Sequence, residues 1–235
     1  MQKWLAQQGL GSRREIEQWI TAGEVLINGE PAILGSKVSA TDRITVRGKA
    51  VATNTSVPQH QVILYNKPEG EICTRSDPEG RRTVFASLPH LKNQRWVAVG
   101  RLDINSSGLI IFTTDGELAN TLMHPKANIE REYAVRVLGT VTPKILHNVT
   151  HDIVLDDGIT AKFNQVKPVG GKGANLWYNV TLPQGRYREV RRIWESQGLQ
   201  VSRLIRIRYG KYKLPKDLAP GQFIELDYQE VKAHA

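Results

Sequence analysis

Two short apolar runs in the middle of the chain flank a polar loop. The first run covers Trp96 to Val99 and the second covers Leu109 to Phe112, with residues 100–108 between them. Continuous apolar runs of this length, bounded by glycine, are typical of buried strands. We therefore predict two buried strands that hold the loop, with its Arg101 and Asp103, at the edge of a rigid core.

The same patterns predict several other elements. Ser12 and Glu15 form a capping-box pattern ahead of a helix that would bury Ile16, Trp19 and Ile20. Asn28-Gly29 predicts a two-residue hairpin turn. Further helices are predicted at residues 117–123, 143–150 and 185–194, and further strands at 44–46, 62–65, 130–137, 177–182 and 201–209.

The last of these strands, residues 201–209, combines apolar and basic side chains. Simple alternation would place Val201, Ile205 and Ile207 on one face. Leu204 would then share the opposite face with two arginines, Arg206 and Arg208. A single leucine on a basic face suits the wall of a base-binding pocket, although isolated leucines on protein surfaces are common.

The polar stretches divide the chain into two domains. Residues 1–52 are predicted to form a small α-β unit, residues 53–61 a polar linker, and residues 62–235 a larger domain.

The composition narrows the possible functions. The 235 residues carry a formal net charge of +9 and a single cysteine, Cys73. One cysteine allows neither an internal disulfide nor a thiolate metal site. No apolar run is long enough to span a membrane, and the first ten residues lack a signal-peptide core. We expect a cytoplasmic protein that does not bind membranes.

Most of the excess charge lies in residues 185–216, which contain ten Lys or Arg and two Glu. Such a concentrated charge favours a polyanionic partner over a merely solvated face. Two cations, Arg13 and Arg14, also occupy a first helical turn, which the helix dipole disfavours. Arg81 and Arg82 follow in a turn-rich loop that could either contact RNA or remain solvated.

Four motifs, in order, resemble those of one enzyme family. They are Lys67-Pro68-Glu69-Gly70, the run from Gly100-Arg101-Leu102-Asp103 to Gly116, Glu130-Arg131-Glu132-Tyr133, and residues 185–204. Together they are similar to the RNA pseudouridine synthases, in the branch that holds the ribosomal small-subunit synthase A and the large-subunit synthases B, E and F. An isolated loop aspartate would usually just bond to its own turn, but this set of motifs favours catalysis by Asp103.

The resemblance implies a fold and a reaction. The fold is of the α+β class, with a mixed, mainly antiparallel sheet flanked by helices. The reaction detaches a uracil from its ribose, turns it and rejoins it through carbon, without a cofactor or metal. Asp103 would either attack the anomeric carbon or remove a proton from the neighbouring sugar carbon. Tyr133 would stack on the base, Arg191 would pair with Asp103, and Leu204 would pack against the base.

The resemblance also suggests how RNA is held. Residues 11–29 are similar to the S4-like RNA-binding domain, which binds structured RNA. The arginines expected to contact RNA are Arg13, Arg14, Arg81, Arg82, Arg101, Arg186, Arg188, Arg206 and Arg208. We expect a monomer that acts on a stem-loop of large-subunit ribosomal RNA and has no small-molecule substrate. A small-subunit RNA target, or an RNA-binding assembly factor without catalysis, are the alternatives.

Overall fold

The computed structural model describes residues 1–51, 59–92, 94–173 and 175–235. Most of the predicted linker, residues 53–58, lies outside these ranges. Contacts group the described chain into two compact units. The first contains residues 1–60, 90–97 and 114–116, and the second contains 61–89, 98–113 and 117–235, within the described ranges. The domain boundaries drawn from the sequence remain predictions.

The amino-terminal part of the first unit is a small sheet with two helices. Its elements are α1 (Gln2–Gln7), α2 (Arg13–Thr21), β1 (Val25–Ile27), β2 (Glu30–Pro31), β3 (Ile44–Val46) and β4 (Lys49–Ala50). The strands form an antiparallel sheet in the order β2-β1-β3-β4. The capping box is confirmed, because the Ser12 amide donates to Glu15 Oε2 at 2.6 Å and the Glu15 amide to Ser12 Oγ at 3.2 Å.

Local backbone chemistry also explains the hairpin in this unit. Asn28 and Gly29 both have positive φ, 53° and 92°, as a two-residue hairpin turn requires. The side chains of Ile16, Ile20 and Val25 are buried in the core of this unit. Trp19 packs against this core but is only partly buried.

The larger unit is built around one mixed sheet. Its elements are β5 (Val62–Lys67), β6 (Val97–Val99), β7 (Ser107–Thr113), α3 (Gly116–Met123), β8 (Arg131–Leu138), α4 (Pro143–Val149), β9 (Ile153–Val154), β10 (Thr160–Ala161), β11 (Gln165–Lys172), β12 (Asn175–Leu182), α5 (Glu189–Glu195), β13 (Gln200–Tyr209), β14 (Tyr212–Lys213), β15 (Phe223–Leu226) and α6 (Tyr228–Ala233). Single 3₁₀ turns cover Val84–Ser87 and Pro125–Ala127.

The strands of this sheet follow the order β11-β12-β8-β13-β7-β5-β15, with β6 beside β7 and β14 beside β13. Strands β7 and β13 run parallel, while the pairings on either side of them are antiparallel. The α+β class and the mixed, mainly antiparallel sheet are therefore confirmed. Central strand β7 is buried over nearly its whole length, as predicted, whereas β6 is only partly buried.

One glycine allows the parallel pair to form. Gly108 lies opposite Arg206 with φ of 101°. A Cβ atom at this position would lie 2.3 Å from the carbonyl oxygen of Arg206. Only glycine combines this backbone angle with so close an approach of a neighbouring strand. The motif glycine thus brings β13 directly against the end of the Asp103 loop.

The predicted alternation along residues 201–209 is wrong at two points. The register between β13 and β8 shifts between Val201 and Arg203 and again between Arg206 and Arg208. Each shift is a β-bulge, which leaves one extra residue on β13 and resets the alternation. Val201 therefore shares a face with Leu204 and Arg206, whereas Arg208 lies on the opposite face, across from Glu132.

The helix predicted from residue 185 begins later, at Glu189. Its cap residue, Arg188, adopts left-handed backbone angles (φ 48°, ψ 25°), so residues 185–188 form a loop. The predicted packing face is confirmed: Val190, Ile193 and Trp194 are all buried. No helix of the described chain is long and apolar enough to cross a membrane.

Candidate active site

A buried lysine fixes the loop that carries Asp103. The side chain of Lys67 is fully buried, and its Nζ donates to the carbonyls of Pro68 (3.0 Å), Asp103 (3.1 Å) and Ser106 (2.7 Å). Burial lowers the pKa of Lys67. The ammonium thus uses its three donors on three carbonyls and defines the path of the loop.

A cavity of about 660 Å³ lies beside this loop, a size common for ligand sites. The cavity brings together three of the four residues predicted to be catalytic, Asp103, Tyr133 and Leu204. Tyr133 and Leu204 are buried in its wall, and Asp103 is half-buried. Within the described ranges, the Asp103 carboxylate forms no ion pair, so it is available to a ligand.

Arg191 does not form the direct pair with Asp103 that the family resemblance implied. It is buried and lies outside the cavity lining. Its Nη1 donates to the Val201 carbonyl and its Nη2 to the Asn105 carbonyl, each at 2.8 Å. Burial and the nearby Arg188 lower the pKa of Arg191, while the charge of Asp103 acts in the opposite direction. Arg191 therefore joins the Asp103 loop to β13 through the backbone carbonyls of Asn105 and Val201.

Several arginines predicted to contact RNA are already engaged within the protein. Arg208 pairs with Glu130 and Glu132 because the second bulge turns it away from the cavity. Arg81 pairs with Asp77 and Glu79 in its own loop, and Arg82 pairs with Glu71. Alternation and turn composition could not reveal these acidic partners. Arg208 in particular is a structural cation on the far face of the sheet.

Arg206 is also placed differently from the prediction. Only 3% of it is exposed, and its Nε donates to the Leu109 carbonyl at 2.6 Å. Its side chain lines the cavity, and its Nη2 has no hydrogen-bond partner among the described residues. Arg206 is therefore a cation in the cavity wall rather than a surface contact for phosphate.

Of the remaining predicted cations, Arg188 pairs with Glu195 at 3.5 Å and Arg186 lies 3.9 Å from Glu189. Arg101, Arg186 and Arg188 line the cavity, and Arg101 and Arg186 are exposed to solvent. Arg186 donates to the Thr160 carbonyl at 2.8 Å, which holds its side chain in place. In the first unit, Arg13 and Arg14 are exposed at the start of α2. Their contacts with RNA remain predictions.

Sequence reasoning missed part of the cavity wall. Cys73, Arg131 and Tyr209 line it. Tyr209 lies opposite Arg131 in the sheet, and Arg131 donates to its hydroxyl at 3.0 Å. Only the register of β8 against β13 shows this pairing. Burial raises the pKa of Cys73, and the Leu102 amide donates to its sulfur at 3.4 Å.

The ion pair on the far face gives a testable pH dependence. The hydrogen bond from Arg208 lowers the pKa of Glu130 below its ordinary value. A carboxyl group whose pKa is lower in the folded state stabilises the fold at pH values above its unfolded-state pKa. This contribution is lost as the pH falls through the folded-state pKa. Glu130→Gln should therefore be slightly less stable than wild type at pH 7, with the gap closing below about pH 4. The urea unfolding midpoints of wild type and Glu130→Gln, compared from pH 7 to pH 3, measure this difference in stability. A difference that does not change with pH would contradict a stabilising ion pair between Arg208 and Glu130.

Comparison with known proteins agrees with this geometry. Residues 61–196 match the RNA pseudouridylate synthase family, and residues 2–44 match the S4 domain. A crystal structure of a pseudouridylate synthase superposes with a TM-score of 0.69 at 24% identity, covering 100% of this chain and 98% of the other, which supports the fold.

Two curated relatives are much closer in sequence. Both carry the name ribosomal large subunit pseudouridine synthase B. The protein from Haemophilus influenzae is 55% identical over 98% of this chain and 65% of its own length. The protein from Salmonella typhi is 54% identical over 98% of this chain and 80% of its own length.

The two family matches identify an S4-domain protein of the RNA-modifying isomerase class. More specifically, the chain belongs to the RNA pseudouridine synthase family, in its ribosomal large subunit pseudouridine synthase B group. It spans about two thirds of the Haemophilus influenzae protein's length.

Proposed function

We propose that this protein isomerises a uridine in large-subunit ribosomal RNA to pseudouridine, with Asp103 as the catalytic carboxylate. The observation that carries the proposal is the placement of Asp103. Its carboxylate is free of ion pairs in the described structure and lines a cavity walled by Tyr133 and Leu204. A carboxylate beside an aromatic and an aliphatic wall can face a sugar while the attached base is enclosed.

The substrate uridine must leave its helical stack to reach this carboxylate, at a cost of a few kcal/mol. Stacking on Tyr133 offsets part of that cost, since such contacts contribute about 1–3 kcal/mol. Asp103 then acts on the sugar, by attack at the anomeric carbon or by removal of a proton from the adjacent carbon. Arg101 and Arg206 also line the cavity, so the site carries positive charge beside this carboxylate.

Two supporting residues hold the carboxylate in place. Lys67 binds the Asp103 carbonyl, and Arg191 binds the Asn105 carbonyl two residues later. The loop is therefore clamped on both sides of its short turn. Such preorganisation matters because small displacements of a catalytic group can cost about 10²-fold in rate.

The RNA target is inferred from the relatives, whose names specify the large ribosomal subunit. We assign the same substrate class here, with a stem-loop as the recognised element and the bacterial cytoplasm as the place of reaction. The exposed Arg13 and Arg14 of the S4 domain would bind RNA phosphates. The proposed enzyme acts as a monomer and has no small-molecule substrate.

The test uses ribosomal RNA transcribed with uridine tritiated at carbon five. Forming pseudouridine releases this tritium, so wild-type protein should release it from large-subunit RNA and leave small-subunit RNA unchanged. Release from the small-subunit transcript alone would overturn the target. Tight binding to large-subunit RNA without tritium release would overturn the reaction and leave an RNA-binding assembly factor.

A further inference from the structure

The loop before α5 exposes an aromatic side chain at the rim of the cavity. Tyr187 is 77% exposed, more than any other large hydrophobic side chain described in the structure. It is nevertheless among the residues that line the cavity. An aromatic ring in this position loses the free energy that burial would give, so a ligand is the natural partner for its face.

The loop that carries Tyr187 passes close to the proposed base-stacking residue. A Cβ atom built on Gly185 would lie 3.8 Å from the hydroxyl of Tyr133. Tyr187 is two residues further along, which allows a backbone separation of at most about 7 Å. The loop that carries the exposed ring therefore passes beside Tyr133, and Tyr187 and Tyr133 line the same cavity.

The backbone beneath the ring is fixed. The Arg186 amide donates to Glu189 Oε2 at 3.0 Å, and the Glu189 amide donates back to the Arg186 carbonyl at 3.3 Å. Glu189 is itself buried, and Arg188 holds left-handed angles that a free chain seldom adopts. A rigid support means that little conformational entropy is lost when a ligand binds the ring.

The charges on both sides of the ring identify the ligand class. Arg186 and Arg188 flank Tyr187 in sequence, and both line the cavity. Arg186 lies 3.9 Å from Glu189 and Arg188 lies 3.5 Å from Glu195, but both side chains remain partly exposed to a ligand. Guanidinium groups bind phosphates, and an exposed aromatic face binds bases by stacking. Basic residues alternating with an aromatic one are the arrangement used to hold single-stranded nucleic acid.

We propose that Tyr187 stacks on the base adjacent to the target uridine. When the uridine flips out, its neighbour loses one stacking partner, and the Tyr187 ring replaces it at the rim. Stacking tolerates any base, so Tyr187 contributes affinity and positioning rather than sequence selection. This proposal rests on the proposed function, because the uridine that flips is the one that Asp103 acts on.

The probe is a large-subunit RNA fragment that the wild-type protein modifies, with 2-aminopurine placed one nucleotide before or after the target uridine. Stacking quenches 2-aminopurine fluorescence. Wild type should quench one of the two labelled positions. Tyr187→Ala should abolish that quenching and raise Kd by about tenfold, as expected for the loss of one stacked base. Tyr187→Phe keeps the aromatic face, so its quenching and its Kd should match those of wild type.

Tyr187→Leu is the decisive control, because it keeps apolar area and removes the aromatic face. It should behave like Tyr187→Ala. Val154→Ala, at an exposed position outside the cavity lining, should match wild type. Wild-type quenching and affinity in Tyr187→Leu or Tyr187→Ala would overturn the proposal. If the wild-type protein modifies no RNA fragment, the proposed function fails rather than the proposal for Tyr187. Fluorescence of an oligouridine labelled with 2-aminopurine then tests whether Tyr187 stacks on RNA.

Discussion

Asp103→Asn is expected to lower the rate of pseudouridine formation by at least about 10³-fold while leaving RNA affinity within about twofold. Asparagine keeps the size and loop position of the side chain but can neither attack the sugar nor accept its proton. The backbone carbonyl of residue 103 still accepts from Lys67, so the loop should keep its shape. Tritium release under single-turnover conditions measures the rate, and filter binding measures affinity.

A second aspartate provides the matched control for this variant. Asp217 is exposed and lies outside the cavity lining, so Asp217→Asn removes the same charge without touching the site. It should retain wild-type rate and melting temperature. Activity of Asp103→Asn within tenfold of wild type would refute the catalytic assignment of Asp103.

Lys67→Met is expected to damage both stability and activity. The substitution preserves most of the side-chain volume but removes the donors to the carbonyls of Pro68, Asp103 and Ser106. Unsatisfied buried carbonyls cost about 1–3 kcal/mol each, partly offset because no charge is buried any longer. We expect a net loss of about 2–4 kcal/mol in the free energy of unfolding of the larger unit.

The same variant should lose about 10²-fold or more in single-turnover rate, because the loop that aims Asp103 is no longer clamped. Urea unfolding followed by tryptophan fluorescence and tritium release measure the two effects. Lys144→Met, at an exposed position on α4, removes an equal charge and should leave both quantities unchanged. A stable Lys67→Met variant with full activity would show that the loop holds itself in place.

The position of Asp103 could be predicted from the sequence because the signal is local. Apolar strands such as Leu109–Phe112 are recognisable from composition alone, and the loop that joins two of them must lie at the edge of the core. The capping box at Ser12 and Glu15 was predictable for the same reason, since all of its partners lie within four residues. The motif resemblance then predicts a catalytic role for Asp103.

The roles of the arginines depended on register, which no local pattern reveals. Two bulges in β13 moved Val201 to the cavity face and Arg208 to the opposite face. The Glu130 and Glu132 carboxylates that pair with Arg208 lie more than seventy residues away in the chain. Arg191 is similar: its contacts with Asn105 and Val201 depend on how α5 packs, which periodicity cannot specify.

The parallel pairing of β7 with β13 has a consequence for synthesis on the ribosome. Arg206 and Leu109, which are joined by a hydrogen bond in this region, lie 97 residues apart in the chain. The Asp103 loop therefore leaves the exit tunnel long before the strand that supplies Leu204 and Arg206. Closing so long a segment is entropically slow, so the pocket forms only after β13 has been translated. A nascent chain that stops before β13 lacks Leu204 and Arg206 and therefore has no finished pocket.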